Sequence, residues 1–222
     1  MKTAQQSKIQ LKEIGANDLD QIAEIHLAAF PDSSWSKLGF RVVRNYYAWQ
    51  FEKVHPIVHA AGAFWQEKCA GFCISGVFDG STSGFIKKNR TLLALKTLQK
   101  PWLFLDSTFA ERFNTGWRLA RRTAPRRPNN CSPRAVSEKK SGNFGILAIA
   151  TAPRFQGLGA GKLLMLDAEN CAARLGYEQI YLTVNVDNYG AIRFYERLDW
   201  QKQLVDGNWR GTMVKHLSKL GE

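Results

Sequence analysis

Apolar residues in the first third of the chain recur at two spacings, which predict strands and helices in turn. Residues 9–14 alternate between apolar and polar, as the residues of a half-buried strand do. Helical spacing follows in residues 17–29 and 34–51. Residues 59–66 and 70–77 are two predicted strands on either side of the polar turn at Glu67 and Lys68, and this arrangement predicts a β-hairpin.

The pattern becomes regular again near residue 144. A nearly continuous apolar run at residues 144–150 has the length of a strand and indicates burial on both faces of a sheet. Residues 162–175 have helical spacing, and Gly176 follows as a helix C′ residue. The pattern then predicts a strand at 179–184, a helix at 188–198 and strands at 200–205 and 209–216. A strand, a helix and a strand in this order form a right-handed βαβ unit, so we expect its two strands to be parallel.

The positive charge of the chain is concentrated in one segment. The formal net charge is +12, and residues 84–142 hold 14 Lys or Arg against Asp106, Glu111 and Glu138. That segment carries +11, which leaves +1 for all other residues. A charge of this density favours an anionic partner, which can be a phosphorylated or nucleotide-linked substrate, a membrane surface or nucleic acid.

An aromatic stripe lies inside this basic segment. Leu105, Phe109, Phe113 and Trp117 recur every four residues, which predicts one face of a helix. That face packs either on the protein core or on an anionic membrane surface, and basic residues beside Trp and Phe suit the second position. The Gly- and Ser-rich residues 79–84, just before the segment, are expected to form a loop.

Composition and cysteine spacing exclude several classes of protein. No apolar run approaches the roughly 20 residues that span a bilayer, and the N-terminus lacks the apolar core of a secretory signal. We therefore expect a cytoplasmic protein. The four cysteines form no CxxC pair, and no His lies at metal-ligand spacing from them, so we expect reduced thiols and no metal.

A glycine-rich loop, QGLGAGK at residues 156–162, joins the buried strand to the next helix. Glycines let the backbone approach a ligand, and a helix N-terminus presents N–H groups that favour an anion such as a diphosphate. A P-loop needs Gly at 156 and Ser or Thr at 163, and a dinucleotide fingerprint needs Gly at 162. Gln156, Leu163 and Lys162 exclude both motifs.

The loop fits the pattern Q/R-x-x-G-x-G/A and resembles the acetyl-CoA diphosphate loop of the GNAT superfamily of N-acetyltransferases. Residues 149–159 look like that family's fourth strand and its Pro-containing exit. Residues 188–200 resemble its second motif, N-x-x-A-x-x-F-Y-x-x-x-G-F, with Asp199 in place of Gly and Trp200 in place of Phe. With its basic insertion, the chain resembles those GNAT members that are linked with surface-polysaccharide synthesis.

The resemblance implies an α/β (α+β) fold of the GNAT type. Its central mixed β-sheet has helices on both faces and a V-shaped splay between strands 4 and 5. We expect residues 1–222 to form a single acetyltransferase domain, with the basic helical insertion 84–142 between strands 3 and 4. Acetyl-CoA is the expected acyl donor, without a metal.

The resemblance also implies the site residues. Tyr195 is the candidate acid that protonates the leaving thiolate, since a phenol is protonated at neutral pH. A backbone N–H near Ile149 is the expected donor to the carbonyl oxygen of the thioester. The residues implied for binding the acyl donor are Ile149, Ala150, Thr151, Gln156, Gly157, Leu158, Gly159, Ala160, Gly161, Lys162, Asn188 and Ala191.

The general base and the acceptor stay open at this point. Asp79 and Asp32 lie in predicted loops and are candidate bases, beside a chain of water molecules, whereas His26 is interpreted as structural. The expected acceptor is a primary amine, small and anionic, such as an amino sugar or a nucleotide-linked sugar. The alternatives are a protein N-terminus or Lys, and a non-enzymatic RNA-binding role for residues 118–134. Peripheral membrane contact through the insertion is also considered, and no specific nucleic acid is expected.

Overall fold

The computed structural model describes residues 9–52, 54–105 and 143–217. Within these ranges, seven strands form one sheet in the order β1-β2-β3-β4-β5-β7-β6. The strands are β1 Gln10–Glu13, β2 Ile57–Trp65, β3 Lys68–Val77, β4 Gly145–Thr151, β5 Gln179–Thr183, β6 Gln201–Val205 and β7 Asn208–His216. The predicted hairpin is confirmed as β2 and β3, and the predicted strands of the second half are confirmed as β4 to β7.

Helices pack on both faces of this sheet. They are α1 Leu19–Ala29, α2 Ser34–Leu38, α3 Phe40–Gln50, α4 Ser81–Lys88, α5 Arg90–Leu98, α6 Ala160–Arg174 and α7 Tyr189–Glu196. Short 3-10 turns occupy Ala16–Asp18, Pro101–Leu105 and Pro153–Phe155. No helix in the described ranges is long and apolar enough to cross a membrane.

Two core clusters lie on opposite faces of the sheet. One cluster joins α1 to α5 with strands β2 to β4 and includes the buried Ile22, Tyr47 and Phe72. The other joins α6 and α7 with the sheet and includes the buried Leu164 and Trp200. The alternation of side chains along β3 explains this division, because neighbouring residues of a strand point to opposite faces.

β4 and β5 are parallel, as predicted, and they pair over a short distance. The paired residues are Gly145 with Tyr181 and Ile146 with Leu182. β4 continues beyond these pairs to Thr151, so the two strands separate towards their carboxyl ends. On its other edge, β4 pairs with β3 along its whole length, from Gly76–Gly145 to Gly71–Thr151.

The predicted helix at 34–51 is in fact two helices. Gly39, with φ +99°, ends α2 and begins α3, a backbone conformation that favours glycine. The Oγ atom of Ser33 caps α2 by accepting a hydrogen bond from the backbone N–H of Ser36 at 3.1 Å.

The prediction of a loop at residues 79–84 is wrong, because α4 begins at Ser81. Gly80 precedes the helix in the left-handed conformation (φ +72°). Phe85 is fully buried in the first core cluster, and the indole of Trp49 donates to the carbonyl of Ser81 at 3.0 Å. These tertiary contacts select a helix where local composition favours a turn.

Gly176 ends α6 as predicted. Its φ is +73°, and its N–H donates to the carbonyl of Ala173 at 2.8 Å. The next N–H, of Tyr177, donates to Ala172 at 3.0 Å, which completes a Schellman motif. Phe109, Phe113, Trp117 and the arginines of residues 118–134 lie outside the described residues.

Candidate active site

The glycine loop leaves β4 and enters α6 through two residues in the left-handed conformation. Gly157 has φ +80° and Gly159 has φ +85°. A Cβ atom added to either residue would meet no heavy atom within 4 Å. The glycines therefore serve the backbone conformation, and the space beside the loop is open to a ligand. Gln156 and Leu158 are exposed beside them.

The first turn of α6 follows directly and presents backbone donors. Its first hydrogen bond back to the loop runs from the N–H of Leu163 to the carbonyl of Gly159 at 3.2 Å. The N–H groups of Ala160, Gly161 and Lys162 come before this bond and point along the helix axis. α6 has 15 residues, so its dipole adds to the attraction of these groups for a diphosphate.

Gly161 has a different role from the two loop glycines. A Cβ atom at this position would lie 3.3 Å from the ring of Phe194 and 3.8 Å from the Oγ1 of Thr151. Its lack of a side chain lets the start of α6 approach both α7 and the end of β4. The glycine loop and the second motif, residues 188–200, are thus in contact at Gly161.

β4 is the central strand of the sheet, yet most of it is only partly buried. Of its residues, Ala150 is buried, whereas Ile149 and Thr151 are of intermediate exposure. A central strand covered by helices on both faces is normally fully buried. The separation from β5 explains the difference, because it opens a cleft along one edge of β4. The predicted burial of this strand on both faces is therefore wrong for most of its residues.

Asn188 stands at the start of α7 as its N-cap. Its Oδ1 accepts a hydrogen bond from the backbone N–H of Ala191 at 3.1 Å. This bond uses the acceptor atom of the side chain, so a contact with a ligand would come from its Nδ2 donor. Both residues lie at the surface near the cleft end of α7, Asn188 exposed and Ala191 partly buried.

Tyr195 is buried in the second core cluster, with its ring 5.4 Å from that of Phe194 and 6.3 Å from that of Trp200. Burial raises the pKa of its phenol to about 12, and the nearby thiol of Cys73 adds to the rise. Cys73 pairs with Ile149 across β3 and β4, which places the phenol close to the middle of β4. A phenol with this pKa is protonated throughout the neutral range.

The two departures from the second motif have clear structural reasons. Asp199 has φ +64°, the left-handed conformation for which the pattern has Gly, and Asp tolerates this conformation better than most residues. Trp200 is buried, and its Nε1 donates to the Oε1 of Glu169 at 2.8 Å. The other carboxylate oxygen of Glu169 accepts from Lys215 at 2.8 Å, so this buried carboxylate connects α6 to β7.

The candidate bases are not brought to Tyr195. Asp79 is exposed two residues past the end of β3, and the strand from Cys73 to Val77 alone spans roughly 13 Å. Asp32 is exposed in the turn after α1. Neither position identifies a base.

His26 is buried between α1 and α3. Its Nδ1 lies 2.7 Å from the hydroxyl of Tyr47, and its Nε2 lies 3.0 Å from the Oγ of Ser33. Burial lowers the pKa of the imidazole from 6.5 to about 4, so the ring is neutral at pH 7. These contacts support the structural interpretation, with the ring fixing the turn between α1 and α2.

The His26 pKa predicts a loss of stability in mild acid. Because the folded pKa lies below the unfolded value of 6.5, its stabilisation is present above pH 6.5 and is lost as the pH falls towards 4. Between pH 7 and pH 5 this single group should cost about 2 kcal/mol in the free energy of unfolding. Urea titrations of wild type and His26→Gln measure it, since the variant lacks this share of the pH dependence. Parallel pH profiles for the two proteins would contradict the assignment.

Sequence reasoning missed the pair of His59 and Asp167. The Nε2 of His59 on β2 lies 2.6 Å from the Oδ2 of Asp167 on α6. The two residues are 108 positions apart, so spacing gave no signal. Among the described residues, no group of three His, Cys, Asp or Glu side chains is arranged to hold a metal.

An open groove of about 650 Å³ lies beside the exit of β4, between α1 and the β2–β3 turn. Its walls carry both signs of charge, with Glu24 on α1, Lys68 on β3 and Arg154 after β4. The groove is on the face of the first core cluster, and its cations lie near the start of the glycine loop.

Comparison with known families agrees with this geometry. Residues 123–200 match the sequence profile of the family described as "Acetyltransferase (GNAT) family". This segment of the chain is therefore similar to that family. The described part of the GNAT match, from residue 143, contains β4, the glycine loop, α6, β5 and α7.

One curated relative is a mycothiol acetyltransferase from Geodermatophilus obscurus. It is 34% identical over 83 residues, which are 37% of this chain and 25% of that protein. The match therefore covers only a quarter of the length of that relative.

Solved GNAT structures have the same fold. The ribosomal-protein-S18-alanine N-acetyltransferase of Escherichia coli superposes with a TM-score of 0.54 at 15% identity, covering 96% of this chain and 97% of its own. The Paia N-acetyltransferase of Thermoplasma acidophilum, solved with coenzyme A, gives 0.55 at 14% identity, with 94% and 99% covered. At these identities the likeness establishes the GNAT fold.

Proposed function

We propose that this protein is an acetyl-CoA-dependent N-acetyltransferase that transfers the acetyl group directly to a primary amine in a ternary complex. One observation carries the proposal. The edge of the central strand β4 that faces β5 is unpaired towards its carboxyl end. The resulting cleft leads to the glycine loop and the first turn of α6. A cleft with a row of backbone donors at its end suits a long ligand that carries a diphosphate.

The residues present fit such a donor in shape and in charge. The open space beside Gly157 and Gly159 leaves room for a diphosphate against the N–H groups of Ala160 to Lys162. The free edge of β4 around Ile149 offers backbone N–H and C=O groups to the amide-containing arm of the donor. Bound acetyl-CoA supplies a thioester as the activated acyl group.

Two protein groups would then act on the reaction. A backbone N–H near Ile149 stabilises negative charge on the acyl oxygen, which is the role of an oxyanion donor. Tyr195 holds a proton close to the middle of β4 and delivers it to the departing sulfur. The proposed base is Asp79 or a water molecule. The exposed position of Asp79 does not distinguish between the two.

We further propose that the acceptor is a small anionic amine, such as an amino sugar or a nucleotide-linked sugar, and that residues 1–222 act as one domain. The net charge of +11 in residues 84–142 supports an anionic acceptor. The described start of this segment, to residue 105, contributes five cations and no carboxylate.

A turnover screen tests the proposal. Acetyl-CoA consumption is measured with matched amines that differ by one phosphate, such as glucosamine and glucosamine 6-phosphate, and with a nucleotide-linked amino sugar, amino acids, polyamines and peptides. The phosphorylated amines should have a kcat/KM at least about tenfold higher, and salt should reduce the difference. Turnover of peptides alone would favour a protein acetyltransferase. Steeply salt-dependent RNA binding without any use of CoA would favour the RNA-binding alternative.

Charge reversal in the insertion distinguishes an effect on the acceptor from an effect on binding of the acyl donor. Replacing Arg121, Arg122, Arg126 and Arg127 by Glu should leave CoA affinity within about threefold, under about 0.7 kcal/mol. Use of the phosphorylated acceptor should fall sharply. Calorimetry with CoA and dephospho-CoA is the control. If the variant loses affinity for CoA and binds dephospho-CoA as well as wild type does, these arginines hold the 3′-phosphate of the donor.

A further inference from the structure

α5 presents an apolar stripe to solvent. The exposed fractions are 54% for Leu95, 77% for Leu98 and 59% for Trp102, which follows in the next 3-10 turn. Leu95 and Leu98 are spaced i and i+3, so they lie on one side of α5, and Trp102 is exposed just beyond the end of the helix. The opposite side of α5 is buried through Leu93 and Thr97. A surface helix normally turns polar residues to water, so the outward stripe indicates a partner.

The residues that flank the stripe in the sequence carry only positive charge. Residues 81–105 contain no Asp or Glu, and their five cations are Lys87, Lys88, Arg90, Lys96 and Lys100. One carboxylate reaches this region from outside, since Glu52 pairs with Lys88 at 2.5 Å. Lys87 and Arg90 are exposed at the junction of α4 and α5. The patch therefore combines a positive field with exposed aliphatic and indole side chains.

We propose that this surface, residues 87–102, docks on an anionic lipid bilayer. Leu95 and Leu98 insert between the lipid headgroups, Trp102 lies at the headgroup level and the flanking cations contact lipid phosphates. Charge complementarity favours an anionic partner, and the aliphatic stripe favours lipid. Nucleic acid would instead favour hydrogen-bonding or aromatic side chains at positions 95 and 98, where the chain has leucines.

The docking surface lies away from the cofactor loop. α4 follows the end of β3, which pairs with the first residues of β4 through Gly76 and Gly145. The glycine loop follows the other end of β4, beyond Thr151. A bilayer on α5 therefore leaves the loop accessible, so lipid binding and CoA binding should be independent. The inference does not depend on the proposed catalytic function.

Vesicle co-sedimentation of the full chain tests the proposal. Vesicles of phosphatidylcholine alone should bind little, whereas an equal mixture of phosphatidylcholine and phosphatidylglycerol should bind the protein in a salt-sensitive manner. The double variant Leu95→Ser, Leu98→Ser should lower the partition coefficient at least about tenfold. Lys87→Gln with Arg90→Gln should lower it roughly 30-fold, from about 1 kcal/mol for each charge.

A matched variant controls for the loss of apolar surface. Leu204 and Val205 at the end of β6 are 61% and 47% exposed, beside Lys202. Leu204→Ser with Val205→Ser should leave vesicle binding unchanged. An unchanged midpoint of thermal unfolding shows that each variant is folded, and it is measured separately from vesicle binding.

Hydrogen exchange locates the contact. Anionic vesicles should slow exchange in residues 90–102 of the wild-type protein. Equal vesicle binding by the α5 double variant would overturn the proposal. So would exchange at 90–102 that anionic vesicles leave unchanged, because lipid would then not cover the stripe. Binding to RNA in place of vesicles would also overturn it.

Discussion

The Gly159→Asp variant is expected to fold and to lose the stabilisation that CoA gives the wild-type protein. At 100 times its Kd, CoA should add about 2.7 kcal/mol to the free energy of unfolding of the wild type. The Asp side chain would project into the open space beside the loop, and its charge would repel a diphosphate. Thermal or urea unfolding with and without CoA measures the gain.

Gly207→Asp is the matched control for this experiment. Gly207 lies in the turn between β6 and β7 with φ +75°, and a Cβ there also meets nothing within 4 Å. The two variants therefore share the backbone strain, of the order of 1 kcal/mol, and the added charge. Gly207→Asp should keep the full CoA gain. Equal stabilisation of both variants by CoA would show that the diphosphate does not bind at the glycine loop.

Tyr195→Phe is expected to lower kcat roughly 100-fold or more, with little change in the KM for acetyl-CoA. The substitution keeps the buried ring and removes the proton that protonates the departing thiolate, and such a loss usually costs this much. Because the pKa of Tyr195 is raised to about 12, wild-type turnover should show no decline from deprotonation of this group below about pH 11. Steady-state kinetics from pH 6 to pH 10 measure both effects.

Tyr46→Phe provides the comparison. Tyr46 is buried in the first core cluster, and burial likewise raises its pKa to about 12, so the variant loses a comparable phenol away from β4. It should keep a kcat close to that of wild type. If Tyr195→Phe also keeps the wild-type kcat, water or another group protonates the thiolate.

The sequence was most informative at positions where the proposed ligand site also requires a particular backbone conformation. The glycine pattern predicted the loop. The structure shows that Gly157 and Gly159 have positive φ and that a Cβ at Gly161 would be in tight contact with the ring of Phe194. The same local signals predicted the N-terminal end of α7 at Asn188. These features depend on neighbouring residues, so spacing is sufficient to find them.

Features that depend on distant residues were not predictable. α4 forms because Phe85 packs into a core built by α1 to α3, although its first residues have the composition of a loop. The pair of His59 and Asp167 and the buried Glu169 connect elements that only the sheet order brings together. The opening of β4 was implied by family resemblance, since its apolar run alone predicts a fully covered strand.

The short pairing of β4 with β5 has a mechanical consequence. Strands β1 to β4 form one antiparallel block and β5, β7 and β6 form another, and two residue pairs join the blocks. A ligand lying along the free edge of β4 would bridge the blocks as a surrogate strand. Its binding should therefore slow hydrogen exchange on both sides of the gap at once. Ligand affinity and the slowing of hydrogen exchange in the sheet would then both report the contact between the ligand and the edge of β4.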